Sequence, residues 1–154
     1  GPGVITFQTA TDAAPSVLTA ALVIGAAQGA AFTAAVTSSS PTAGMGYATG
    51  AGGAVTQLTS KATAVTLNTV TGTITLHNAS LAADTTVAFT LTDSAIAATD
   101  AVVVLHESVG TIGAYSFGST AAGGSAVISV HNNTPGALGE AIVLRFVVVK
   151  SVNA

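Results

Sequence analysis

From residue 54 onward the chain alternates between apolar and polar residues. Over residues 85–92, Val87, Phe89 and Leu91 fall on one parity, and Thr86, Ala88, Thr90 and Thr92 on the other. Successive side chains of a β-strand point to opposite faces, so this pattern gives a strand one core-facing side and one outer side. On a helix the same residues would be scattered around the axis. The alternation recurs, bounded each time by Gly, Asn, Asp, Ser or Pro, and predicts strands over residues 54–58, 63–68, 72–77, 85–92, 101–106, 114–118, 126–131 and 141–150. Eight short strands in about 100 residues, with turn signals between them, predict an all-β domain: a β-sandwich or jelly-roll-like barrel. No strongly amphipathic helix competes with this reading.

The final predicted strand differs from the rest. Ile142, Leu144, Phe146 and Val148 line one face, while Val143, Val147 and Val149 line the other beside Arg145. A strand apolar on both faces needs cover on both. Either it lies at the centre of the sandwich or its outer face meets another subunit. Arg145 is the only arginine of the chain. A guanidinium buried in such a strand needs a hydrogen-bonded partner. Glu107, Glu140 or a neighbouring chain's carboxylate would serve; the competing expectation is an arginine that reaches out to solvent. Arg145, Val143, Val147 and Val149 are therefore the candidate oligomer-interface residues.

Residues 1–53 read differently, being dominated by Ala, Gly, Thr and Ser. Residues 14–23 and 30–37 suit either a strand or a short helix, since Ala fits both. The run Ser38-Ser39-Ser40-Pro41 and the glycines from Gly44 to Gly53 mark loops. The expected organisation is an N-terminal arm or irregular subdomain over 1–53 and a β-sandwich over 54–154. Gly50, Gly52 and Gly53 are the expected hinge between them. They form no phosphate-binding fingerprint, because no Lys-Ser/Thr ending and no helix follows. The apolar run over 15–36 is mostly Ala, is broken by Gly25, Gln28 and Gly29, and has no basic flank, so neither a signal peptide nor a membrane span is expected.

Charge narrows the function. Only 6% of residues are charged: Lys61, Arg145 and Lys150 against Asp12, Asp84, Asp93, Asp100, Glu107 and Glu140, a net charge of −3. Three cations cannot neutralise a run of phosphates, which excludes electrostatically driven nucleic-acid binding. With 49% hydrophobic residues, charge-driven disorder is excluded as well. Soluble monomers usually carry about 25–35% charged residues on their surface. A chain this poor in charge is expected to have much of its surface covered by other subunits.

Candidate chemistry is sparse. His77, His106 and His131 each close a predicted strand before a polar turn, but no two have chelating spacing, so no metal and no cofactor is expected. Asp93 and Asp100 flank a loop, where aspartates usually satisfy nearby backbone amides. There is no cysteine and no Gly-x-Ser-x-Gly elbow. A glycan hydrolase would need a carboxylate pair in an aromatic-lined cleft, and six carboxylates with two tyrosines are poor material for one. Asn78-Ala79-Ser80 and Asn132-Asn133-Thr134 match the glycosylation pattern, which matters only in a secretory context.

Five blocks taken in order carry a resemblance. They are residues 47–68 (YATGAGGAVTQLTSKATAVTLN), 72–76 (GTITL), 81–104, 113–117 (GAYSF) and 140–150 (EAIVLRFVVVK). This wording resembles a β-rich module that recurs in structural proteins of tailed-bacteriophage virions; residues 1–46 take no part in it. The resemblance implies a non-enzymatic virion component, a homotrimer, with no catalytic residues to carry over. The leading expectation is a capsid decoration (cement) protein on the capsid exterior, with the major capsid protein and itself as partners. The alternative is a trimeric tail-fibre or tailspike module involved in host attachment. A pilus-like surface subunit exchanging strands through its arm is a further alternative.

Overall fold

A computed structural model describes residues 41–42 and 44–153. The chain divides into two units, Gly1–Met45 and Gly46–Ala154, and the second holds every strand described below. The expected elements over 14–23 and 30–37, the apolar run over 15–36 and most of the expected arm lie outside the described residues.

Eight strands follow one another: β1 (Gly52–Thr56), β2 (Val65–Thr66), β3 (Thr71–Thr75), β4 (Thr86–Thr92), β5 (Ala101–Ser108), β6 (Tyr115–Ala122), β7 (Ser125–Asn132) and β8 (Val143–Val149). There is no helix among the described residues, and hence none able to cross a membrane. All eight coincide with runs predicted from the alternation, with ends displaced by a few residues. The largest trimming is at β2, where only Val65 and Thr66 pair with β4. The strands make two four-stranded sheets, ordered β1-β3-β8-β5 and β2-β4-β7-β6. Pairing is antiparallel except at one edge of each sheet, where β1 runs parallel to β3 and β2 parallel to β4. The fold is all-β and sandwich-like.

The inner faces of both sheets supply one core. Ile74, Leu144, Phe146 and Val148 come from the first sheet, and Phe89, Leu91, Ile128 and Val130 from the second. Gly72 lies where the packing is tightest. A Cβ there would stand 2.7 Å from Leu67 Cδ2 and 2.8 Å from the Gly53 carbonyl oxygen. Gly124, at φ +77°, turns the short connection from β6 to β7 and exchanges backbone hydrogen bonds with Ile96 and Asp93. Left-handed φ costs glycine little.

Polar side chains lock one end of the sandwich. Gln57 is buried and donates to the carbonyls of Lys61 (3.0 Å) and Thr63 (2.8 Å), while its Oε1 accepts from the His77 amide. Lys61 is buried as well; its ammonium donates to the carbonyls of His77 and Glu140, each at 2.5 Å. Burial pulls its pKa below the usual lysine range, and the Glu140 carboxylate opposes that shift. Lys61 thereby ties the end of β3 to the approach of β8.

Candidate functional site

Residues of odd number on β3, β5 and β8 face away from the core, because the buried positions alternate with them. Strand register places these outward residues in rows. One row is Ala54, Thr73, Arg145 and Leu105; the next is Gly52, Thr71, Val147 and Val103; Thr56, Thr75 and Val143 form a third. The β1 and β3 side of this face is threonine and small residues. The β8 and β5 side is aliphatic, with Val103, Leu105 and Val149 exposed and Val143 and Val147 half-buried. The outer face of the second sheet is different in kind. It carries the hydroxyls of Thr86, Thr90, Thr92, Ser116, Thr120, Ser125 and Ser129, and Val127 is its only exposed large aliphatic residue among those described.

Arg145 sits in the middle of the aliphatic side and forms an ion pair with Glu107. Its side chain is 47% exposed, so the guanidinium is solvated at the surface and paired within its own chain. Glu107 reaches it from a bulge, since the β5–β8 register shifts between His106 and Ser108. The four candidate interface residues, Val143, Arg145, Val147 and Val149, therefore share one outer face, on which Arg145 and Val149 are exposed and Val143 and Val147 half-buried. The three candidate hinge glycines are placed differently from one another. Gly50 lies in a turn at φ +96°, while Gly52 and Gly53 are within β1 and pair with Thr71 and Gly72.

Beyond this face, the connection from β5 to β6 is held by an acidic anchor. Glu140 accepts hydrogen bonds from the Thr111 amide (3.1 Å), the Thr111 hydroxyl (2.8 Å) and the Tyr115 hydroxyl (2.8 Å). These donors, Thr111 first, hold its carboxyl below the usual glutamate range. Burial, and then the bond to Glu140, push the Tyr115 phenol upward. Val109 has φ +62°, a left-handed conformation that a β-branched residue rarely adopts. His106 Nε2 lies 2.7 Å from the Val109 carbonyl oxygen. His106, Glu107, Ser108, Val109, Gly110 and Ile112 line a shallow cleft of about 170 Å³. The loop did not stand out in the sequence. Its signal there is Ile112 between Gly110 and Gly113, an aliphatic residue in a turn with no strand partner.

The remaining polar candidates stay apart. His77 Nδ1 accepts from the Ala79 amide, and His131 contacts Thr86 and Asp84, so each imidazole has local partners. No group of three metal-ligating side chains occurs among the described residues. Asp93 accepts from the Ala95 amide and Asp100 from the Ala97 amide, as loop aspartates do. Burial raises the Asp93 pKa, and its Oδ2 is buried without a hydrogen bond. Lys150, and next the Ala97 amide, lower that of Asp100. Asn132 is fully buried with its amide nitrogen against three carbonyls, which closes that glycosylation pattern, whereas Asn78 is exposed.

Comparison with known proteins returns no match, whether against family models, curated proteins or solved structures.

Proposed function

We propose that the chain is a non-enzymatic structural protein of a virion, a capsid decoration protein that sits on the outer capsid and stabilises contacts between capsomers. One observation carries this reading. The aliphatic and threonine face of the β1-β3-β8-β5 sheet has Arg145–Glu107 as its ion pair and leaves Val103, Leu105 and Val149 exposed. Exposed aliphatic rows of this kind mark a surface made for contact. On this reading sister copies cover that face within a homotrimer, and the part of the chain before the sandwich, which begins at Gly46, serves as the attachment arm towards the major capsid protein. Many weak contacts repeated over a shell add up through multivalency. The resemblance of residues 47–152 to virion structural modules points the same way.

The test is to locate the protein on intact particles by electron microscopy and to count its copies. Hundreds of copies on the shell are expected, while a few dozen or fewer at the tail would replace decoration with a fibre role. Particles stripped of the protein should release their contents at lower temperature and after milder osmotic shock; unchanged release would contradict the stabilising role.

A further inference from the structure

The β5–β6 loop carries large aliphatic side chains to water. Ile112 is 91% exposed and Val109 59% exposed, with Leu105 at 55% on the adjoining strand. An isolated exposed aliphatic residue is ordinary. These are not isolated, and their backbone is not loose. Glu140 grips both the amide and the hydroxyl of Thr111, and His106 meets the Val109 carbonyl. Gly110 is packed so closely that a Cβ would stand 2.5 Å from Ile142 Cγ2 and 2.9 Å from Glu140 Oε2. The chain thus holds Val109 in a disfavoured conformation with its side chain turned to water, while Gly110 beside it seats the loop on Ile142. Strain maintained by surrounding contacts is characteristic of binding elements, and a rigid tip loses little freedom on docking.

We propose that this loop is a self-contact tip: Val109 and Ile112 pack against the same loop of a second copy of this chain, at a symmetry axis of the assembly. The proposal rests on the assembly reading and extends it to residues outside the sheet face. Three features favour a second copy over other occupants. Val109 and Ile112 are themselves walls of the open cleft of about 170 Å³, so a second copy turned about an axis meets this tip with the same aliphatic side chains, a contact of like with like. The cleft is also continuous with the aliphatic sheet face, because Glu107 lines the one and pairs with Arg145 on the other. That continuity matters, since a specific interface needs about 800 Å² per partner and the tip alone is too small. Charge disfavours a bilayer. The carboxylates near the tip are Glu107 and Glu140, and the neighbouring cation, Arg145, is already paired.

The experiment uses the full chain, which lacks cysteine, so that Ile112→Cys introduces a single thiol. Mild oxidation at micromolar protein should link up to two of the three copies around the axis into a disulfide dimer and leave the third free, whereas Thr120→Cys, on the outer face of the second sheet, should give little. Ile112→Ser should weaken self-association roughly 10- to 100-fold by sedimentation, as expected for losing one buried aliphatic side chain. Its melting temperature at concentrations where the chain is monomeric should not move, because Ile112 touches little of its own chain. Self-association that persists unchanged in Ile112→Ser, without cross-linking through the thiol of Ile112→Cys, would overturn the tip proposal and leave the sheet-face reading standing. Absence of self-association in the wild type would overturn both. Flotation of the wild type with neutral phosphatidylcholine vesicles, lost in Ile112→Ser, would overturn the proposal in favour of a lipid surface.

Discussion

Replacing Lys61 by methionine tests whether a buried cation staples the end of the sandwich. Methionine retains most of the aliphatic stem, so packing is nearly conserved. What disappears is the ammonium that donates to the carbonyls of His77 and Glu140 at 2.5 Å. Two buried acceptors then lose their partner, at about 1–3 kcal/mol each, while the cost of burying the charge is recovered. The net loss should be about 2–4 kcal/mol, which lowers the melting temperature by roughly 10–20 °C in a domain of this size. The pH dependence supplies an independent check. The folded pKa of Lys61 lies below the ordinary value, so over the window between the two the unfolded chain holds more protons. Wild-type stability therefore rises with pH through that window, and the Lys61→Met variant lacks this contribution. Urea unfolding at one fixed protein concentration, at pH 8 and pH 10, should show the gap between the proteins widening. A melting temperature within 2 °C of wild type, or a gap that narrows at pH 10, would refute the staple.

Other perturbations follow from the same structure. Asp93→Asn should gain on the wild type by about 1 kcal/mol at pH 7, since the buried Oδ2 no longer carries charge. The folded pKa of Asp93 is raised, so its favourable contribution is complete below the unfolded value and lost as pH rises through the folded one. The gain should therefore vanish near pH 3 in chemical denaturation, and a gain that persists there would contradict this. Val109→Gly relieves left-handed strain of about 1–2 kcal/mol against about 0.5–1 kcal/mol of added chain entropy. Its unfolding free energy should rise slightly while self-association weakens; a clear loss of stability would show that Val109 is not strained. Gly72→Ala should cost about 1–3 kcal/mol, because the new methyl meets Leu67 and the Gly53 carbonyl at under 3 Å. A melt indistinguishable from wild type would show slack at that crossing. Arg145→Ala should change monomer stability by less than about 1 kcal/mol, as is usual for an exposed pair. It should loosen the oligomer, and an unaltered sedimentation profile would leave the guanidinium merely solvated.

Local pattern made the strands legible. Val87, Phe89 and Leu91 point inward, and Leu144, Phe146 and Val148 do so with Val143 and Val147 behind them, because side-chain alternation is a property of single strands. Strand partners are not written locally. Nothing in residues 52–75 announces that β1 runs parallel to β3, since that depends on the chain crossing to the other sheet at β2 between them. The buried polar end was also hidden. A lysine in a sequence is expected at the surface, and Lys61 is inside only because carbonyls from two distant segments converge on it. Arg145 was legible only as a choice between a carboxylate partner and solvent, and the structure gives it both. Its odd-numbered position puts it on the outer face, where Glu107 reaches it from the β5 bulge. The tip at Val109 and Ile112 depends on backbone conformation and on Glu140, about 30 residues away, so neighbouring residues could not reveal it.

Sedimentation of the purified full chain over a wide concentration range tests the central claim most directly. The face bearing Val103, Leu105, Val147 and Val149 should drive assembly to a trimer at micromolar protein, and Leu105→Ser should shift the boundary towards monomer. A single monomeric species up to the highest concentrations, unchanged by Leu105→Ser, would mean that water alone covers this face.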